Sequence, residues 1–275
     1  MLDNLFHFFF IPLVITAPFV YRIIRLGKFT FFKKENDFPN NLNILIAEKV
    51  RFLQIILGYS YIIMHGIKYW GWLNIFTFQI LSISISMFSE LLGSKMGYIF
   101  GGKYNYEKDI TPGPYIYGIP ILIPISWAGL LYMSLNLASL LISGDIIGSD
   151  TRIDFWIILT SSFFMVILDM VLDPIAVDEK RWEWEKSGSY YNVPYLNFLS
   201  WFFVSLVIYY LFLLLSSLDV KTYYNDYLTK FSPGFLFLIL PAIAARPCFE
   251  RGLKFPGVLG LLFTITIFII LQLNK

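Results

Sequence analysis

The sequence predicts an all-α fold, a polytopic bundle of about eight transmembrane helices, and three observations carry that prediction. The chain is 57% hydrophobic and only 15% charged, whereas soluble domains carry about a quarter charged residues. Apolar runs of near-spanning length recur from one end of the sequence to the other, which makes lipid the expected solvent. The runs are continuous rather than alternating, which favours helices over a closed barrel. Backbone polar groups in hydrocarbon must be paired internally, and a helix does this within one segment.

The elements follow in order. Candidate helices run roughly over 5–24, 51–68, 70–92, 116–141, 153–173, 196–217, 232–246 and 256–273. The first lacks the basic start of a signal peptide, and Arg22, Arg25 and Lys28 follow it, so it reads as a retained helix. Residues 25–50 form a basic, polar connector, either resting on an anionic leaflet or solvated. Pro174 is expected to end or kink the fifth helix. The seventh helix is short for a span, so the count is seven or eight.

Charge gives the bundle an orientation. With eight crossings, 16 of the 21 basic residues fall in alternate loops on one side and 5 on the other. The positive-inside rule then puts the richer loops in the cytoplasm and both termini outside. No loop is long enough for a soluble domain, so 1–275 reads as a single integral membrane domain. With seven crossings the C-terminus moves to the cytoplasmic side.

Composition also excludes function classes. A net charge of +2 is too small to point to nucleic acid. Cys248 is the single cysteine, and His7 and His65 are the only histidines. That rules out an internal disulfide and leaves too few ligands for a zinc-type site. No metal or cofactor is expected. His65 lies mid-helix and is expected to pack or hydrogen-bond between helices. Aromatic residues make up 19% of the chain. Helix-end anchoring accounts for part of them, and the remainder raises the question of a lined cavity.

Carboxylates in membrane helices are costly and therefore functional candidates. Glu90 closes the third helix. Asp169 and Asp173 stand four residues apart, on one face of the fifth. All three fall toward the side with the two loops richest in aromatics and glycine. One loop reads Gly97-Tyr98-Ile99-Phe100-Gly101-Gly102-Lys103-Tyr104-Asn105-Tyr106. The other holds Trp182-Glu183-Trp184 and Gly188-Ser189-Tyr190-Tyr191-Asn192-Val193-Pro194. Tyr117-Gly118-Ile119-Pro120 and Pro124-Ile125-Ser126-Trp127 lead into the fourth helix, and Asn197-Phe198-Leu199-Ser200-Trp201 into the sixth. Bland readings stand beside these: aromatic anchors, a snorkelled Glu90, a turn ordered by Asp173.

In order and spacing these segments resemble the membrane-bound carotenoid hydratases, also called carotenoid 1,2-hydratases. These include the bisanhydrobacterioruberin hydratases and the γ-carotene 1′-hydroxylases. The resemblance covers about residues 85–205, the motif-bearing core, and the flanking helices by hydropathy alone. Asn192 and Ser200 stand where the family pattern has glycine. Asn also tolerates left-handed backbone angles, while Ser200 bears on close helix packing.

The resemblance implies a hydro-lyase that adds water across a terminal isoprenoid double bond to give a tertiary alcohol. Such a reaction needs an acid, a base, a held water and a wall that stabilises a cation. Asp169 is the expected acid, and Glu90 or Asp173 the expected base and water holder. Tyr104, Tyr117, Trp127, Trp182 and Trp184 are candidates for the wall. Asn197 is a candidate to orient the water, and Tyr190 and Trp201 complete the expected substrate-binding set. The expected partners are a lipophilic carotenoid, water and membrane lipids. The membrane is expected to be the plasma membrane, with a lateral opening that admits the polyene. Two other classes stay open. One is an intramembrane prenyltransferase, since Asp169, Asp173 and Asp178 loosely resemble a motif that binds magnesium diphosphate. The other is a small-solute transporter or scaffold. Neither the particular carotenoid nor the oligomeric state follows from the sequence.

Overall fold

The structure, a computed structural model, describes residues 41–111, 113–148, 153–218 and 227–273, together with Thr16, Val20 and 23–25. Most of the first expected helix and of the 25–50 connector lie outside the described residues. Seven long helices follow: α1 (Asn41–Trp70), α2 (Trp72–Leu91), α3 (Leu122–Ser143), α4 (Phe155–Asp178), α5 (Tyr195–Leu215), α6 (Tyr227–Glu250) and α7 (Lys254–Leu273). All seven are long and apolar enough to cross a membrane. The protein is therefore an all-α, multi-pass membrane bundle.

Four boundaries differ from expectation, each for a physical reason. α1 begins at Asn41 rather than 51, so residues 41–50 of the expected connector are helical, and no glycine or proline interrupts residues 40–57. The stretch expected to begin the fourth helix instead forms a two-stranded hairpin, β2 (Tyr115–Ile116) against β3 (Ile119–Pro120). Tyr117 (φ 51°) and Gly118 (φ 82°) make its turn, and such left-handed angles do not continue a helix. α3 starts only at Leu122.

α4 runs through Pro174 to Asp178 rather than stopping at 173. Proline has no N–H, so the carbonyl four residues earlier loses its helix partner. That carbonyl is Met170, and the Tyr190 hydroxyl donates to it at 3.0 Å. A helix proline in a membrane is tolerated when a neighbour satisfies the freed group. Tyr190→Phe should leave this carbonyl unpaired and cost about 1–3 kcal/mol. Thermal unfolding in detergent would measure it, and an unchanged melting temperature would contradict the assignment.

α6 is a full 24-residue helix despite Pro233, Pro241 and Pro247, where a short helix over 232–246 was expected. Pro233 frees the Thr229 carbonyl. Ser232 Oγ donates to it at 2.6 Å, and His65 Nε2 lies 3.2 Å away. His65 also meets the Tyr132 hydroxyl through Nδ1 at 2.6 Å. It thus bonds between helices as expected, tying α1 to α3 and α6.

The core is shared among the helices, with Tyr61, Tyr69, Ile75, Phe78, Leu131, Tyr132, Ile157, Tyr209, Phe212 and Phe237 fully or almost fully enclosed. α2 ends in one π turn, Leu92–Met96, capped by left-handed Gly97. Two further strands, β1 (Tyr104–Tyr106) and β4 (Trp182–Trp184), pair antiparallel over that end of the bundle. They bring together the two loops richest in aromatic residues.

An ion-pair cluster holds the same end. Arg181 grips Glu48 with both terminal nitrogens at 2.7 Å and Glu179 through Nε at 2.6 Å. Glu179 also takes Arg251 at 2.6 Å and Arg25 at 3.2 Å. Burial alone would raise the Glu179 carboxyl. The guanidiniums of Arg181, Arg25 and Arg251 outweigh it and hold the group well below the usual carboxylate range.

Candidate active site

Glu90 sits in the last turn of α2 and is 2% exposed. Its partners come from β1, where side chains alternate between faces. Tyr104 and Tyr106 therefore share one face, and Asn105 takes the other. Both tyrosine hydroxyls donate to Glu90 Oε2, at 2.5 and 2.6 Å. Burial raises both phenols well above their ordinary value, and the Glu90 charge adds to the effect. Both thus remain hydrogen-bond donors at any physiological pH.

The pairing with β4 sets Tyr104 opposite Trp184 and Tyr106 opposite Trp182. Their rings lie 5.2 and 5.8 Å apart. The ribbon is fixed at both edges. Trp184 Nε1 donates to the Phe100 carbonyl at 2.8 Å. The Phe100 N–H donates to Ser200 Oγ at 3.1 Å, and Phe100 itself is left-handed at φ 59°. Ser200 thus ties this loop to α5 with its hydroxyl. Gly93 admits the Phe100 ring, and a Cβ there would collide with Phe100 and crowd Tyr104.

Asp169 and Asp173 lie on one face of α4, 6% and 7% exposed. Asn197, in the first turn of α5, donates from Nδ2 to Asp169 Oδ2 and to Asp173 Oδ2, both at 2.8 Å. One amide nitrogen with two hydrogens thereby holds two carboxyl groups. Tyr104, which donates to Glu90, lies in the same cluster as Phe198, next to Asn197, and Met170, next to Asp169, packs against that cluster. Among the described residues, no lysine or arginine forms an ion pair with these three carboxyl groups. Trp127 of α3 and Trp201 of α5 stack within 12° of parallel. Trp201 also meets the Phe100 ring at 4.7 Å.

The structure therefore brings together most of the residues singled out in the sequence. Glu90 and Tyr104 are joined by a hydrogen bond, Asp169 and Asp173 by Asn197. Trp184, Tyr190 and Trp201 belong to one buried aromatic cluster with Phe100, Tyr104, Val193 and Phe198, and Trp127 and Trp182 pack against it. Tyr117 stands apart, 79% exposed in the β2–β3 turn. Tyr190 lines the cluster while serving the Met170 carbonyl. Asn192 adopts φ 69°, the left-handed backbone that asparagine accommodates.

Sequence reasoning missed Tyr106 as a Glu90 partner. It read both strand segments as loops, although Tyr-Asn-Tyr and Trp-Glu-Trp each carry a period of two.

A family model described as carotenoid biosynthesis protein matches residues 50–267. The chain belongs to the carotenoid biosynthesis protein family. No match was found among curated proteins or among solved structures. Membership in this family assigns the chain a role in carotenoid biosynthesis, as an enzyme of that pathway. The matched residues include all three carboxyl groups, both strands of the ribbon and the stacked tryptophans.

Proposed function

We propose that this carotenoid biosynthesis protein is a hydratase, adding water to a terminal double bond of an acyclic carotenoid end group. The observation that carries the reading is the set of three buried carboxyl groups, held by neutral donors and walled by aromatic rings. A hydration needs an acid, a base and a cation wall, and these are the parts assembled here.

Asp169 gives its proton to the less substituted carbon of the double bond. The π electrons form the new C–H bond, and positive charge develops on the tertiary carbon. Faces of Trp127 and Trp201, with Tyr104, Trp182 and Trp184, stabilise that charge through their ring quadrupoles. A water oxygen forms the C–O bond. The surplus proton passes to Asp173 or Glu90 and returns to Asp169, so the net change is one water added. Asn197 keeps both aspartates in place, and Tyr104 and Tyr106 fix Glu90. The step consumes no redox equivalent.

The charge bias of the loops supports a site at the cytoplasmic face of the membrane, proposed to be the plasma membrane. The polyene reaches it from the bilayer, while water reaches it through the protein. The test uses membranes containing the protein, an acyclic carotenoid, heavy-oxygen water and a metal chelator. The reading expects a tertiary alcohol whose oxygen is labelled. An unlabelled hydroxyl would overturn it, and an activity abolished by the chelator would favour transfer from a magnesium diphosphate instead.

A further inference from the structure

One face of α2 is polar where it should be apolar. Gln79, Ser82, Ser86 and Glu90 recur at spacings of three, four and four residues, within one narrow stripe. All four are buried in the protein, not turned to lipid. The stripe is about 16 Å long at the rise of an α-helix.

Two ends fix how α5 lies against it. The Phe78 ring meets Tyr209 and Phe212, at 6.4 and 4.9 Å. Beyond the other end of α2, Phe100 meets Ser200 and Trp201. The helices are thus antiparallel, and buried Ser205 lies on α5 between these two contacts.

Ser86 Oγ satisfies itself on the Ser82 carbonyl at 2.5 Å. Among the described residues, Gln79 Nε2, Gln79 Oε1, Ser82 Oγ and Ser205 Oγ have no hydrogen-bond partner. Buried polar atoms in membrane interiors are paired with protein or with ordered water. Of these four atoms the amide nitrogen donates, the amide oxygen accepts and the two hydroxyls do both, so together they offer a water the several partners it requires. Away from Glu90 the stripe ends in Trp70, Phe78, Tyr209 and Phe212, with the Trp70 and Phe212 rings stacked 5.2 Å apart.

We infer that the α2–α5 interface holds a file of waters, bound by Gln79, Ser82 and Ser205, that opens at Glu90 and is closed by aromatic rings at its far end. This rests on the hydratase reading for its purpose, as the store of the reaction's second substrate. Its existence rests on the orphaned polar atoms alone.

Silver ion tests it, since it travels through water and reacts with thiols. In a Cys248→Ala background, Ser82→Cys and Ser205→Cys are near-isosteric and should fold. Ile75→Cys gives a buried apolar control on α2, and Phe203→Cys a lipid-facing control on α5. Membranes are exposed to silver, then denatured and labelled with a maleimide. The inference expects maleimide labelling to be lost at 82 and 205 and kept at both controls. Full labelling at 82 and 205, or equal loss at the controls, would overturn it. Silver access needs no turnover. Modified thiols without any hydrated carotenoid would keep the waters and remove the hydratase reading. Hydrated carotenoid with unmodified thiols would do the reverse.

Discussion

Asp169→Asn is expected to lower carotenoid hydration by about two to four orders of magnitude, the range a positioned acid contributes, while the folded protein persists. The substitution keeps the shape of the side chain. It also keeps an oxygen that can accept from Asn197 Nδ2, so the bond now seen at 2.8 Å has a counterpart. What is lost is a transferable proton. Protonating a carbon–carbon double bond demands a strong donor aimed at one carbon, and an amide cannot serve. Asp173→Asn should cost less, because the proposed mechanism gives the surplus proton a second acceptor in Glu90. Comparing product formed per unit of folded protein, in membranes supplied with substrate, separates the two. Full activity in Asp169→Asn would remove this residue as the acid.

Arg181→Leu is expected to destabilise the protein by about 3–5 kcal/mol, because it takes from buried Glu48 its bidentate partner, leaving Arg25 at 3.6 Å, and from buried Glu179 one of its guanidiniums. The bidentate grip on Glu48 and the bond to Glu179 go together. Activity should fall too, for a geometric reason. Arg181 directly precedes β4, its carbonyl accepts from the Glu107 N–H at 2.9 Å, and Glu107 directly follows β1. The cluster therefore sets the ribbon that places Tyr104 and Tyr106 on Glu90. A pH dependence follows with a definite sign. The folded-state Glu179 carboxyl is held below its unfolded value, near 4.3. Its stabilisation is complete above that value and is lost as pH falls below it. Denaturation in detergent should steepen on the acid side in the wild type, and less so in Glu179→Gln. Equal acid limbs would contradict the assignment.

The bundle was legible because lipid imposes a simple demand. Long apolar runs must be helices, and charge must sit at their ends. Where prolines broke the pattern, the reading stopped short. The ends expected at 173 and around 232–246 assumed that a freed carbonyl stops a helix. Tyr190, Ser232 and His65 satisfy those carbonyls from distant positions in sequence, which local pattern cannot reveal. Asp169 and Asp173 were legible from spacing, and Asn197 stood out as a polar residue at a helix start. That its amide spans both aspartates depends on how α4 and α5 pack. The ribbon was hidden by its brevity, since three-residue strands with turns around them read as loops. The α2 stripe was not singled out in the sequence, because its meaning rests on the burial of its atoms and on the absence of partners for Gln79, Ser82 and Ser205 among the described residues.

The central claim is that this enzyme adds water to an isoprenoid double bond at its buried carboxyl groups. The most direct measurement is the mass spectrum of carotenoids extracted from a host that makes an acyclic carotenoid and expresses this chain. The account predicts products heavier by one water, or by two where both ends react, and at least a hundredfold slower formation of them in cells expressing Asp169→Asn, about the lower bound of what a positioned acid contributes. A carotenoid profile unchanged by the wild-type chain, or altered by any mass other than that of water, would contradict it.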